Sequence, residues 1–110
     1  MAPVELMQGT LDLLLLKALS WGPMHGYDVN RWIRQTTGQA LTVEEGALYP
    51  ALHRLEARGW VESEWGLTEQ NRRAKFYRLT RTGRSQSRRE AGAWERYAGV
   101  MARVIAAGRP

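Results

Sequence analysis

Apolar residues recur every three to four positions in the first half of the chain, which is the spacing of one face of a helix. The first such stretch predicts a helix over residues 11–19, with Thr10 as its N-cap and the Trp-Gly-Pro segment 21–23 after its end. The second stretch predicts a helix over residues 25–37 that ends at Gly38. The residues of this helix expected to face inward are Tyr27, Val29, Ile33 and either Thr36 or Thr37.

A third helix is predicted over residues 43–58, and Gly59 ends it. Thr42 and Glu45 have the spacing of a capping box, in which each side chain would satisfy an amide donor at the start of the helix. Its inward stripe is Leu48, Leu52 and Leu55.

After Gly59 the pattern changes from helical spacing to alternation, which indicates strands. Residues 60–65 and 75–79 are predicted to form a two-stranded hairpin with a long polar connection over 66–73. Thr80 can then cap a last helix over residues 81–107. The buried side of the hairpin is expected to carry Val61, Tyr77 and Leu79.

This order of elements predicts a mainly α fold with a small β hairpin: a winged helix-turn-helix plus a long C-terminal dimerisation helix. The second and third helices are joined by a short turn and form the helix-turn-helix pair. An isolated hairpin is marginally stable in water, so it must lie against the helices. We expect residues 1–80 to form the winged helix-turn-helix DNA-binding domain and residues 81–110 the dimerisation helix.

Length and composition agree with a small globular protein. The chain has 110 residues, of which 44% are hydrophobic and 25% charged, so a disordered chain is not expected. It has no cysteine, which excludes a disulfide scaffold. The longest apolar run, Leu13 to Leu16, is far shorter than the ~18 residues of a membrane span. No basic residue precedes Lys17, so we expect no secretion signal and a cytoplasmic protein.

The distribution of charge is more informative than the net charge of +5. Between Arg72 and Arg89 there are eight basic residues and no acidic one. A localised basic block indicates a polyanion such as DNA as the partner. An arginine-rich face that is merely solvated is the alternative interpretation of the charge alone.

The third helix leaves several polar or small residues off its apolar stripe, and these are the candidates for reading DNA bases in the major groove. Tyr49, His53 and Arg54 carry hydrogen-bond donors, and Glu44 could accept from a cytosine amine. The candidate DNA-binding residues here are Thr42, Glu44, Ala47, Tyr49, His53 and Arg54. The alternative is that Tyr49 packs on the neighbouring helix and His53 is only solvated.

The hairpin connection and the strand that follows it carry a second group of candidates: Asn71, Arg72, Arg73 and Lys75. Like charges repel one another, so a hairpin needed only for folding would not be expected to concentrate them. We expect Arg72, Arg73 and Lys75 to contact the DNA backbone.

The inventory of reactive residues argues against an enzyme. The chain has two histidines, His25 and His53, and none of the HExxH, GxSxG or P-loop motifs. His25 and Asp28 could form a dyad at helical spacing, but a histidine at a helix start is more often a cap. We expect no catalytic residue, no metal site and no cofactor.

The last helix carries an apolar seam: Trp94, Tyr97, Met101 and Val104, flanked by Ala91, Ala98 and Ile105. This is heptad spacing, and the first three helices already have one another as partners. The seam therefore predicts a second copy of the chain, with Trp94, Tyr97, Met101, Val104 and Ile105 in the dimer interface. The alternative is that the helix folds back on its own domain.

With these residues identified, the sequence resembles the PadR family of transcriptional regulators, and in particular its small members with one C-terminal helix. Four segments carry the resemblance: LDLLLLKAL (11–19), GPMHGYDV (22–29), GALYPALHRLEARGWV (46–61) and NRRAKFYRLTRTG (71–83). The resemblance implies a homodimeric winged-helix repressor, with the C-terminal helix making the dimer, the third helix reading DNA and the wing cations holding its backbone. The helix-turn-helix pair and the apolar seam together predict that the dimer binds a palindromic operator.

The same resemblance implies an effector site, because some small members bind planar aromatic compounds between paired tryptophans of the dimer. Trp94 lies where such a tryptophan is expected, eleven residues after Gly83. Leu11, Ala91, Trp94 and Ala98 would line this site. The other hypothesis is a winged helix used only as a protein–protein interaction module, for which a neutral hairpin tip would be expected.

Overall fold

Four helices and a three-stranded antiparallel sheet form the part of the chain that the computed structural model describes, residues 4–7 and 9–110. The helices are α1 (Leu11–Leu19), α2 (Gly26–Thr36), α3 (Glu45–Ala57) and α4 (Arg81–Ala106). The strands are β1 (Met24–His25), β2 (Val61–Leu67) and β3 (Arg73–Leu79). The predicted winged-helix fold with a long last helix is confirmed.

One apolar core lies between the first three helices and the base of the hairpin. Each of these helices contributes one apolar stripe, and the hairpin contributes one face of its alternating pattern. The principal buried residues are Leu15, Leu16, Val29, Ile33, Leu48, Leu52, Leu55, Val61, Tyr77 and Leu79. Truncating one of these leucines to alanine would cost about 2–5 kcal/mol, so the core fixes how α3 and the hairpin are placed.

Tyr27 was expected in this core, and that expectation is wrong. Its side chain is 61% exposed, and the guanidinium of Arg31 lies 5.8 Å from the centre of its ring. Val29 and Ile33 are one helical turn apart and face the core together. Tyr27 precedes Val29 by two residues, about 200° around the helix, and so points to the opposite side.

The predicted capping box is also wrong, because α3 begins two residues later than expected. Its N-cap is Glu44, and its first helical residue is Glu45. The side-chain amide of Asn30 donates to the Val43 carbonyl oxygen at 2.6 Å and accepts from the Val43 N–H at 3.1 Å. Val43 is thereby buried outside the helix, and Thr42 remains exposed.

The hairpin strands are longer and their connection is shorter than the alternation indicated. β2 pairs with β3 from Val61 opposite Leu79 to Leu67 opposite Arg73. The remaining residues 68–72 form a tight turn: the Thr68 N–H donates to the Arg72 carbonyl oxygen and the Thr68 hydroxyl accepts from the Arg72 N–H. We call β2, β3 and this turn the wing.

A third strand, which the sequence did not predict, joins the sheet. β1 pairs with β3 through Met24 opposite Tyr77 and His25 opposite Phe76, so the strand order is β1-β3-β2. A strand of two residues is too short to show alternation. It anchors the start of α2 to the wing.

The predicted cap of the last helix is confirmed. The Thr80 hydroxyl accepts from the Gly83 N–H at 3.0 Å and donates to the Gly59 carbonyl oxygen at 2.6 Å. Gly83 and Ser87 are buried against the domain, whereas from residue 93 onwards every residue except Ala98 is exposed. Thus the first turns of α4 pack on the chain's own domain and the rest of the helix projects from it. In the part of the chain described, no helix is long and apolar enough to cross a membrane.

Candidate nucleic-acid interface

The wing and the start of the helix-turn-helix enclose an open cleft of about 730 Å³. Its lining is His25, Gly26, Tyr27, Tyr49, Trp65, Thr68, Gln70, Arg72, Arg73, Ala74, Lys75 and Tyr77. Four of the nine predicted DNA-binding residues, Tyr49, Arg72, Arg73 and Lys75, are therefore brought together. They come from two separate elements, α3 and the wing.

Alternation along β3 explains why cations line this cleft. Arg73, Lys75 and Tyr77 lie on one face of the strand, since successive side chains point to opposite faces. Tyr77 is buried, Lys75 is half-buried and Arg73 is exposed. This face of β3 packs on the core at the base of the wing. Towards the tip of the wing the same face carries cations and forms a basic wall of the cleft.

The charges of this wall are available to a partner. Among the described residues, Arg72, Arg73 and Lys75 form no ion pair, whereas Arg31, Arg54, Arg58 and Arg78 each have a carboxylate partner. Unpaired cations held on a rigid hairpin are suited to phosphate groups, to which they can donate charge-assisted hydrogen bonds.

Tyr49 both packs on α2 and lines the cleft. Its side chain is 39% exposed, and its ring lies directly over Gly26, where an added Cβ atom would be 2.6 Å from the hydroxyl oxygen. The alternative that Tyr49 packs on the neighbouring helix thus describes part of its environment. A residue larger than glycine at position 26 would displace the ring.

The other candidates on α3 lie outside the cleft. Thr42, Glu44, Ala47 and His53 are exposed on the surface of the helix or just before it. The Arg54 guanidinium is 2.8 Å from one carboxylate oxygen of Asp12 on α1, and Arg58 is 3.5 Å from the other. Arg54 therefore also ties α3 to α1.

His25 has the role of a helix cap. Its Nδ1 accepts from the Asp28 N–H at 3.4 Å, its Nε2 lies 3.1 Å from the Asp28 carboxylate, and its ring meets the edge of Phe76. The predicted cap is confirmed, and the ring also forms part of the cleft wall. Within the described residues, no group of three or more His, Asp and Glu side chains could hold a metal ion.

One titratable group beside the cleft is perturbed. Burial raises the pKa of the Tyr77 hydroxyl above its ordinary value, and the nearby charges of Glu56 and Tyr49 raise it further. This tyrosine stays neutral over the physiological range and acts as the floor between the cleft and the core.

Trp94, at the other end of the molecule, lines three adjoining grooves between α4 and the domain, of about 290, 230 and 200 Å³. Leu13 of α1 lines all three, and Ala91 lines the largest. Leu11 and Ala98 line none of these three grooves, so the structure unites only part of the predicted effector site. The seam residues Tyr97, Met101, Val104 and Ile105 are all exposed.

Sequence reasoning named Tyr49 as a candidate but missed Trp65 of the cleft, which is 59% exposed. Alternation from Val61 through Ser63 would have placed Trp65 on the inward face of the hairpin. The sequence does not show that the inward face of β2 extends past the end of the core, so that its outer part lines the cleft.

Comparison with known proteins identifies the family. Residues 15–89 match the transcriptional regulator PadR-like family. A curated protein of Lysinibacillus sphaericus, itself uncharacterised, is 26% identical over 81 residues, which are 74% of each chain. An uncharacterised 37.1 kDa transposon protein of Streptomyces fradiae is 42% identical over 88 residues, but the match spans only 24% of that longer protein.

Solved structures agree with the sequence match. A transcriptional regulator from Clostridium thermocellum superimposes with a TM-score of 0.78 at 30% identity, covering 87% of this chain and 93% of that one. A PadR family transcriptional regulator from Eggerthella lenta gives a TM-score of 0.78 at 27% identity, covering 92% of this chain and 86% of that one. With a basic cleft beside its helix-turn-helix, the chain belongs to the PadR-like family and is a DNA-binding regulator of transcription.

Proposed function

We propose that this regulator is a repressor that binds a palindromic DNA operator as a homodimer. The observation that carries the proposal is the cleft, in which three unpaired cations of the wing face α3 across a space open to solvent. In this arrangement the exposed residues of α3 read base edges while Arg72, Arg73 and Lys75 hold the backbone beside them. A regulator must share a compartment with the DNA that it binds, so the proposal implies a cytoplasmic protein.

The dimer is supported by the projecting part of α4. Its seam residues are exposed although they are large and apolar, and a second copy related by two-fold symmetry would cover them. We assign residues 1–80 to DNA binding and residues 81–110 to dimerisation, with the first turns of α4 serving as the joint. Two-fold symmetry would separate the half-sites by about 34 Å or a multiple of it.

An effector is supported by the grooves around Trp94. They are lined mainly by apolar side chains, and an indole offers a flat face on which a planar aromatic molecule can stack. Such a molecule can release the operator only if it binds more tightly to a dimer whose wings are spaced wrongly for the operator than to a dimer whose wings fit it. A molecule with equal affinity for both conformations would not change their populations.

Footprinting on the DNA upstream of the protein's own coding region tests the core of the proposal. Two symmetric half-sites are expected, and a reporter under that promoter should rise in activity when the regulator is absent. A single unrepeated half-site would contradict the dimeric mode, and a fall in reporter activity would contradict repression.

The phosphate role of the wing has its own test. The slope of log K against log salt is negative, and each of Arg72→Ala, Arg73→Ala and Lys75→Ala should make it shallower by ~0.9, since each removes one phosphate contact. Arg96→Ala removes an exposed arginine outside both the basic block 72–89 and the cleft, and serves as the control. A wing variant with an altered choice of operator but an unchanged slope would show that the wing reads sequence instead.

The effector role is tested by titrating planar aromatic dyes into the wild type and Trp94→Ala, with dimerisation checked in both. The dye should bind the wild type more tightly and weaken operator binding. Trp21→Ala removes another exposed indole away from the grooves and should leave dye binding unchanged. Equal dye affinity in wild type and Trp94→Ala would refute the site.

A further inference from the structure

The wing carries a large aromatic side chain that the fold does not need. Trp65 lies on β2 opposite Lys75, on the face that turns towards the cleft, and 59% of its side chain is exposed. Burial of an indole is strongly favourable, so a tryptophan left this open contributes little to the core. Its position among the cleft cations indicates a use in binding.

Trp65 is in contact with one of those cations. The guanidinium carbon of Arg73 lies 4.7 Å from the centre of the indole ring. Arg73 is opposite Leu67 in the register, so Trp65 and Arg73 are diagonal neighbours on one face of the β2–β3 ladder. Diagonal pairs are within reach of long and aromatic side chains, so the register itself produces this contact.

This pair differs from the two other arginine–aromatic pairs that the structure describes. Arg31 over Tyr27 and Arg58 over Trp60 each also pair with a carboxylate, Asp28 and Asp12 respectively. Among the described residues Arg73 has no such partner. Stacking uses only the flat face of a guanidinium, and the N–H groups around its edge stay free to donate.

We propose that Trp65 is a positioning residue for DNA binding: its indole holds the Arg73 guanidinium in the cleft so that its N–H groups meet a backbone phosphate. An unsupported arginine on a hairpin must lose rotamer freedom when it binds. The indole reduces that loss by ordering Arg73 before DNA arrives. This inference rests on the proposed role of the wing as the phosphate contact.

A double-mutant cycle tests it, with operator affinity measured for wild type, Trp65→Ala, Arg73→Ala and the double variant. Trp65→Ala should weaken binding about threefold to fivefold in the wild-type background, as expected for an exposed cation–aromatic contact. In the Arg73→Ala background the same change should have an effect below about twofold. The salt slope of Trp65→Ala should equal that of the wild type, since no charge is lost.

Three further variants separate positioning from damage to the fold. Trp65→Phe keeps an aromatic face and should recover part of the affinity. Leu67→Ala removes an exposed apolar side chain from the same face of β2, and Trp21→Ala removes an indole that has Lys17 5.2 Å from its ring centre but lies outside the cleft. Both controls should bind DNA as the wild type does.

The outcomes distinguish this inference from the function on which it rests. If the wild type binds no DNA, the proposed function fails and the inference fails with it. If the wild type binds but Trp65→Ala binds equally well, only the inference is overturned. It is also overturned if the losses of Trp65→Ala and Arg73→Ala multiply, because Trp65 would then act independently of Arg73.

Discussion

Asn30 shows how much of the placement of α3 depends on one side chain. Its amide satisfies both the N–H and the carbonyl oxygen of Val43, whose side chain is only 2% exposed. Buried backbone groups must find partners, and those of Val43, which lies outside the helices and strands, find them in this side chain. Asn30 precedes Val43 by thirteen residues. A residue of α2 thus holds the segment just before α3, and with it the position of Tyr49 relative to α2.

Replacement of Asn30 by alanine should therefore be costly. Both backbone groups of Val43 would lose their partners, and we expect the free energy of unfolding to fall by about 2–3 kcal/mol. Denaturant unfolding monitored by circular dichroism measures this. Gln35→Ala, on the exposed side of the same helix, is the control and should change stability little. A loss as small as that of the control would mean that water replaces the amide.

Tyr77 should make stability depend on alkaline pH. Its pKa is raised in the folded state, mainly by burial, so the folded protein holds this proton at a pH where the unfolded chain has released it. The stabilisation is complete below the ordinary value of 10.0 and is lost as the pH rises through the raised pKa. Stability should fall by up to about 1.4 kcal/mol per pH unit in this range from this group alone.

Tyr77→Phe should remove that part of the alkaline fall, whereas Tyr27→Phe, at an exposed tyrosine, should not. The measurement is the free energy of unfolding as a function of pH from neutrality to above 10.0. Parallel curves for wild type and Tyr77→Phe would show that the hydroxyl titrates equally in both states.

At the scale of elements, the joint between α4 and the domain allows no side chain at Gly83. A Cβ atom there would overlap the backbone carbonyl of Trp60, which cannot move aside as a flexible side chain could. Gly83→Ala should therefore destabilise the protein by about 3 kcal/mol, at the upper end of the usual cost of overpacking.

Gly99→Ala is a matched control on the same helix. Nothing lies within 4 Å of a Cβ atom at Gly99, so alanine should stabilise the helix by up to about 1 kcal/mol. Thermal unfolding of the two variants compares them directly. Equal midpoints would show that α4 can shift on the domain without cost.

The elements also show what a sequence can predict. The helices and the buried side of the hairpin were predictable because Val29, Ile33, Leu52 and Tyr77 obey a local period. The capping box failed because a distant amide, Asn30, holds Val43 outside the helix, so that α3 begins only at Glu45. β1 was missed because two residues show no period, and the ends of β2 and β3 were missed because backbone pairing continues through polar residues.

The candidate site divides in the same way. The wing cations were predictable because they lie within four residues of the chain and share a sign of charge. That Arg54 pairs with Asp12, 42 residues away, was not, because only the packing of α1 against α3 brings them together. Trp65 is a similar case: its alternation is visible in the sequence, but its position beyond the core is not.

At the scale of the whole molecule, α4 makes the protein elongated, with extents of 60 × 33 × 22 Å. Met101 lies on the exposed seam, and we predict that Met101→Asp abolishes dimerisation. Burying an unpaired carboxylate costs several kcal/mol, and the two-fold axis repeats that cost in the partner. Sedimentation should show a monomer at micromolar concentration, and operator affinity should fall because two half-sites no longer bind together.

Gly99→Asp introduces the same charge about 200° around α4 from Met101 and should leave the protein dimeric. If Met101→Asp also remains a dimer, the seam is not the interface.

The junction at Thr80 has a mechanical consequence. β3 ends at Leu79 and α4 begins at Arg81, so only Thr80 lies between them. The Thr80 N–H donates a hydrogen bond to the Trp60 carbonyl oxygen, and the Thr80 hydroxyl donates to the Gly59 carbonyl oxygen and accepts from the Gly83 N–H. Because no flexible linker separates β3 from α4, the direction of α4 is fixed relative to the wing. Because the core also holds the wing against the helix-turn-helix, a tilt of α4 moves the wing and the helix-turn-helix together as one body. In the proposed dimer, a change in the angle between the two α4 helices would therefore change the distance between the two wings, without any rearrangement of either core.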